Sequence, residues 1–156
     1  MKYEKSLEDE IDWKVIDQLH TATNFFASTS TELKKIFFTL IVIAIPTLIK
    51  LSGDKLDRAL FISIFVLTFL FWILDSYTYF YQDKLREKMN LLFNDIKNRN
   101  KTENMPDSNE EEVTIEIDRT SENRLKRSLF NYSMFLYLLV FIINLLATIL
   151  FYNELI

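Results

Sequence analysis

An all-α membrane protein is the fold class that this sequence predicts, on three observations. Apolar residues make up 49% of a 156-residue chain that still holds 26% charged residues, so the two classes must be segregated along it. The only glycine is Gly53 and the only prolines are Pro46 and Pro106. So few backbone breakers favour long helices over a turn-rich β fold. The 26 residues from Ser128 to Asn153 carry no charge, which is enough to cross a bilayer with some tilt.

The elements follow in order. Ile11, Val15, Leu19, Ala22 and Phe26 recur at helical spacing, widened by Ile16 and Phe25, and predict an amphipathic helix. Ser28 to Thr31 offer N-cap hydroxyls for a second helix. The first apolar run, Ile36 to Ile49, is short for a span, but Lys35 and Lys50 can snorkel and extend it. Pro46 is expected to kink it. Ser52-Gly53-Asp54 reads as a turn, making an antiparallel hairpin with the second run, Ala59 to Leu74. Trp72, Tyr77, Tyr79 and Tyr81 are the expected interface anchors, because amphipathic rings favour the headgroup level. Helical pattern continues through Leu85, Met89, Leu92, Phe93 and Ile96, which predicts one helix of about 40 residues and about 60 Å.

Composition shifts at Asn98 to a polar linker holding Pro106 and Glu110 to Glu112. Val113, Ile115 and Ile117 alternate with polar residues, a strand-like pattern too short to stand alone. It either lacks structure or pairs with another copy. The last helix is expected to start near Ser121. The chain thus divides into a cytosolic N-terminal amphipathic helix over 1–35 and a transmembrane hairpin over 36–82, with spans at about 36–51 and 59–80. A cytosolic helix and acidic linker over 83–127 and a third transmembrane helix over 128–153 complete it.

Fifteen Lys and Arg residues fall in the N-terminal and 83–127 segments, against three near the hairpin turn, Lys50, Lys55 and Arg58. The positive-inside bias then places the N-terminus in the cytosol and the C-terminus in the periplasm. No cleavable signal peptide is visible, so the N-terminus is expected to remain.

The chemistry is narrow. There is no cysteine, which removes disulfides and thiol catalysis. A net charge of −4 gives no case for nucleic acid as a partner. No phosphate loop, nucleophile elbow or zincin motif occurs, and no cofactor or metal is expected. His20, the single histidine, reads as a helix-surface residue. The glutamates at 110–112 read as solvated charge, since successive residues do not converge on one ion.

Three residues are candidates for pore lining or polar interhelical contact: Asp75, Asn144 and Thr148. A carboxylate at a span end is costly unless solvated or paired. Asp75 belongs either to a polar ring at a pore mouth or to an ion pair with Lys84, Lys88 or a basic residue of the first helix. Asn144, mid-span, reads as an interhelical hydrogen-bonding group or a pore-lining amide. Ile11, Val15, Leu19, Phe26, Leu85, Met89, Leu92 and Ile96 form the expected cytosolic packing surface.

The stretch LFWILDSYTYFYQDKLREKMNLLFNDIKN, from Leu70 to Asn98, resembles a group of small bacterial membrane proteins. These carry an N-terminal helix, a two-span hairpin ending in a Phe-Trp-x-Leu-Asp-x-Tyr segment and a charged helix. Here the segment is Phe71, Trp72, Leu74, Asp75 and Tyr77, and His20 to Phe26 with Leu33-Lys34 resemble the group's first-span entry. Over residues 11–98 the layout is similar to SLATT-type effector domains found beside nucleotide-signalling defence systems. The third span departs from that layout. The resemblance implies a bacterial inner-membrane effector, without catalytic residues, that opens pores or disrupts the membrane when a partner senses infection. The expected function is therefore a non-enzymatic, oligomeric pore-forming effector, controlled by a cytosolic protein or nucleotide signal. The alternative is a membrane anchor or scaffold without conduction.

Overall fold

A computed structural model describes residues 6–53, 57–100 and 123–153 of the chain. All regular structure among these residues is helical. α1 runs from Leu7 to Leu51, α2 from Arg58 to Arg99, α3 from Arg124 to Leu129 and α4 from Phe135 to Tyr152, with a 3-10 turn at Tyr132–Met134 before α4. The strand-like alternation at Val113 to Ile117 lies outside the described residues.

α1 begins at Ser6, whose side chain accepts a hydrogen bond from the Asp9 N–H, and Glu8, Asp9 and Glu10 complement the positive helix end. It then continues for 45 residues, so the expected break at Ser28–Thr31 is corrected. The hydroxyls of Ser28 and Thr29 donate to the Phe25 carbonyl and that of Thr31 to the Ala27 carbonyl. Back-bonding to the preceding turn satisfies these groups inside a helix and leaves them no capping role. Pro46 sits inside α1 without ending it. Gly53, at φ 69°, adopts the left-handed geometry that ends helices and that a side chain disfavours.

α2 is 42 residues long and passes from the apolar run into the charged segment without interruption. Its antiparallel pairing with α1 is set by a seven-residue repeat. On α1 the buried positions are Asp9, Ile16, Thr23, Ser30 and Phe37; on α2 they include Phe61, Thr68, Asp75, Gln82 and Ile96. That spacing is the seam of a coiled coil, in which a strict seven-residue repeat winds the helices left-handedly. Ring pairs mark the register: Trp13 on Phe93 at 5.5 Å, Phe26 stacked on Tyr81 at 5.4 Å and Phe37 on Phe71 at 5.4 Å.

The charge-free run from Ser128 to Asn153 is not one continuous helix, a second correction. α3 stops at Leu129, and Asn131 makes the join. Its side-chain oxygen accepts from the Ser133 N–H, while its amide donates to the carbonyls of Arg127 and Ser128. A side chain that takes over backbone partners in this way competes with the helix. α4 then packs against the hairpin through Phe37–Tyr137, Phe65–Phe141 and Phe61–Phe151, at 5.1, 4.9 and 5.2 Å.

Two apolar clusters result. Phe37, Met134 and Tyr137 are buried near the middle of the molecule; Leu60, Phe61 and Ile64 are buried near the hairpin turn. The outward faces stay apolar and open, with Val42, Ile43, Ile62, Val66, Ile143 and Leu146 all more than half exposed. Two helical stretches, Arg58–Arg99 and Arg124–Tyr152, are long and apolar enough to cross a membrane, and only 17% of the apolar window of the second is buried within the chain.

Phe37 is fully buried between Phe71 and Tyr137. We predict that Phe37→Ala destabilises the fold by about 3–5 kcal/mol. Ile43→Ala, on an open face, is expected to cost under about 1 kcal/mol. Unfolding of the purified protein in detergent checks the difference, and equal losses for the two variants contradict this core.

Candidate functional site: a buried ion pair where charge meets the apolar band

The seam that joins α1 to α2 is polar at most of its buried positions. Thr23 and Thr68 are satisfied by the carbonyls of Leu19 and Ile64, one turn back on their own helices. Asp75 has no such local solution. Its side chain is wholly buried, and it meets the Lys34 ammonium at 2.5 Å. Lys34 also donates to the Ser30 hydroxyl, 2.7 Å away and one turn earlier on α1. The Thr78 hydroxyl donates to the Asp75 carbonyl at 2.7 Å and lies 3.2 Å from the carboxylate. Tyr137 of α4 covers the group, with its hydroxyl buried beside the Asp75 carboxylate. Ser76, next to Asp75, points its hydroxyl at the Met134 sulfur, 3.7 Å away.

Among the two readings open for Asp75, the geometry is that of the ion pair, with the basic residue of the first helix as partner. Lys84 and Lys88 are exposed and do not reach it. Lys34 is 19% exposed at its side chain and Asp75 is not exposed at all, so the lysine carries the pair's only contact with water.

Asn144 is the second polar group inside the apolar half. It is buried on α4, and its amide donates to the Phe61 carbonyl of α2 at 3.0 Å. Thr148 donates to the Asn144 carbonyl, one turn back. Asn144 therefore joins two helices of one chain, while Thr148 serves its own helix.

The proposed interface residues separate. Tyr77 is 60% exposed, and its hydroxyl lies 3.0 Å from that of Tyr81. Tyr79 packs inward on the Phe37–Tyr137 cluster. Trp72 donates its indole N–H to the Leu129 carbonyl at 3.1 Å and so holds the end of α3. Of the packing stripes, Ile96 is buried; Val15, Leu19, Phe26, Leu85, Met89 and Leu92 are half-buried. Ile11 is 53% exposed and lies off the seam, where Ile16 is buried in its place. His20 is exposed, 3.4 Å from the Asn24 amide.

Three arginines that pattern reading passed over hold the charged end together. Arg99 bridges Asp9, at 2.9 Å, and Asp12, and Asn100 adds a bond to Asp9 at 2.9 Å. The Asp12 hydrogen bond, and then that of Asp9, raise Arg99 further above its already high range. Arg124 pairs with Glu87 and sits over the Phe80 ring at 5.7 Å; Arg127 reaches Asp83 at 2.7 Å. The seven-residue spacing of buried polar residues could have pointed to Asp9, which lies on the seam; the other partners lie off it and carry no such signal.

Chemically, the cluster is one carboxylate neutralised by one ammonium, with hydroxyls around it. No group of three or more His, Asp or Glu residues that could hold a metal occurs among the described residues. No protein family, curated protein or solved structure matches the chain.

Breaking a buried ion pair strands a charge, whereas replacing both partners need not. Lys34→Met is expected to cost about 3–5 kcal/mol, because it leaves Asp75 alone in the interior. Asp75→Leu is expected to cost less, since Lys34 retains access to water. The double variant should be more stable than Lys34→Met alone. A double-mutant cycle on detergent unfolding tests this, and additive losses refute the coupling. Asn144→Leu is expected to cost about 0.6–2 kcal/mol in the same assay.

Proposed function

We propose that the chain is a non-enzymatic, three-span protein of the bacterial inner membrane that presents a helical stalk on the cytosolic face as a docking scaffold. The observation that carries this reading is the continuity of α1 and α2. Each runs unbroken from a half with outward apolar faces into a half that is charged and ion-paired. Apolar faces open on several helices, at Val42, Ile62, Val66 and Ile143, exceed what a soluble monomer ordinarily exposes and suit lipid as solvent. Polar groups inside the apolar half are satisfied internally, as a span requires: Asp75 by Lys34, Asn144 by Phe61, Thr68 by Ile64.

The short run at the end of α1 supplies the first span, with Lys50 beside its far end. Arg58, 5.4 Å over the Tyr152 ring, ties the last helix to the hairpin turn on that same far side. The Lys/Arg bias then puts the stalk in the cytosol and the C-terminus in the periplasm. Stalk residues Leu7, Ile11, Phe25, Leu91 and Leu125 are exposed and apolar, which suits docking of further copies or of a cytosolic partner.

A pore-forming effector of the SLATT-like kind is the second reading. Asp75 and Asn144 are occupied within one chain, so a lumen would have to form between copies. The exposed hydroxyls of Thr39, Thr47 and Ser63 on the outward faces favour that arrangement. In this reading a partner or nucleotide signal gates assembly.

A reporter fused after Ile156 is expected in the periplasm and one inserted near Asn104 in the cytosol. Finding both on one side ends the three-span reading. Liposomes holding the protein are expected to stay ion-tight; sustained flux would favour the pore reading over the scaffold.

A further inference from the structure

The outward face of α2 changes character in a fixed order. Val66, Leu70, Ile73 and Leu74 are exposed and apolar; Tyr77 follows, exposed and in hydroxyl contact with Tyr81. Lys84 and Lys88, one turn apart, come next. Steps of three, four and seven residues keep these side chains on one side of the helix. At 1.5 Å per residue, Lys84 and Lys88 lie about 4.5 and 10 Å beyond Tyr81 along the axis. A headgroup layer is about 5–7 Å deep on each side of the hydrocarbon, and lysine stems can reach back towards it.

The two lysines border an open cleft of about 380 Å³, whose walls include Leu19 of α1, Tyr81 and Leu85 of α2, and the Glu87–Arg124 ion pair of α2 and α3. Arg124 is already matched by Asp83 and Glu87. Neither Lys84 nor Lys88 makes a hydrogen bond or ion pair among the described residues, and both are exposed. The site therefore combines an apolar wall above, two phenol hydroxyls at the boundary and two uncompensated ammonium groups below.

We infer that this face binds an anionic phospholipid of the inner leaflet. Its acyl chain lies along Leu70, Ile73 and Leu74, and its phosphate lies between the Tyr77–Tyr81 hydroxyls and the ammonium groups of Lys84 and Lys88. The inference rests on the membrane reading above. The charge order decides the ligand class: a zwitterionic headgroup brings its own cation against the lysines, whereas an anionic one leaves a net negative charge for them to match. Lysines near an anionic surface each contribute about a fivefold gain in binding, equivalent to about 1 kcal/mol.

Native mass spectrometry of the full chain in detergent, titrated with dioleoyl phosphatidylglycerol or dioleoyl phosphatidylcholine, tests the assignment. Phosphatidylglycerol is expected to be retained about thirtyfold more strongly, with the preference shrinking as ammonium acetate is raised. K84Q/K88Q is expected to lower phosphatidylglycerol retention about thirtyfold and to leave phosphatidylcholine unchanged, while K84R/K88R keeps the preference. Equal retention of the two lipids, or a K84Q/K88Q variant indistinguishable from wild type, overturns the site. Alkaline carbonate extraction of wild-type membranes separates the two claims. A chain that stays in the pellet but shows no lipid preference defeats only this site; a chain released to the supernatant defeats the membrane reading as well.

Discussion

The Lys34–Asp75 pair constrains the rest of the molecule. Asp75 lies where α2 leaves its apolar run, fully enclosed by α1, α2 and α4. A carboxylate in that position must have a cation, and only one register of the hairpin supplies it. Sliding α1 by one helical turn past α2 would put Phe38 or Ser30 at the level of Lys34 and leave a buried charge unmatched. That penalty is several kcal/mol, larger than most single packing changes. The pair thus specifies register more than it adds stability, much as a polar residue in a coiled-coil seam does. Phe37 and Tyr137 depend on it, because they close over the site only when the helices are so aligned.

Polar residues recur along the same seam, and they divide into two kinds. Thr23 and Thr68 spend their hydroxyls on their own backbone, so they fill space without demanding a partner across the interface. Asp9 and Asp75 demand one, and they stand at the charged end and near the middle of α1–α2. Between these two fixed points the pairing is carried by aromatic rings, Trp13 on Phe93 and Phe26 on Tyr81. Such ring pairs tolerate some sliding, whereas the ion pairs at either end do not. α3 is attached on the same principle: Arg124 and Arg127 meet Asp83 and Glu87, and Trp72 holds the Leu129 carbonyl.

This distribution matches a molecule that lives in two solvents. In the apolar half, burial contributes little between helices if lipid surrounds them, and close ring packing with internal hydrogen bonds must hold them together. Phe61 does both, packing on Phe151 and accepting the Asn144 amide through its carbonyl. In the charged half water is the competitor, and a two-helix stalk leaves Leu7, Phe25 and Leu91 uncovered. The same continuous helices serve both halves, so a load on the charged half would act on rods whose other ends form the apolar half. That mechanical continuity is what a scaffold and a gated assembly would share.

The sequence by itself determined the helical class, the hairpin and the uninterrupted passage of α2 from apolar run to charged segment. Each of these rests on local properties: sparse breakers, the Ser52-Gly53-Asp54 turn and side-chain periodicity. It also narrowed Asp75 to two roles and Asn144 to two, because a polar group in or at the end of an apolar run has few options. Only the tertiary structure decided between them. Which cation reaches Asp75 depends on the register at which two helices pair, and Lys34 is 41 positions away. The hydroxyls at Ser28–Thr31 look alike as caps and as back-bonded helix residues; the neighbouring helix, by burying Ser30 and Phe37, decides that α1 continues. Asn131 breaks the charge-free run by a hydrogen-bonding choice that no hydropathy pattern registers. The seven-residue seam was written in polar as well as apolar residues, and its meaning appears only when the facing helix supplies the partners.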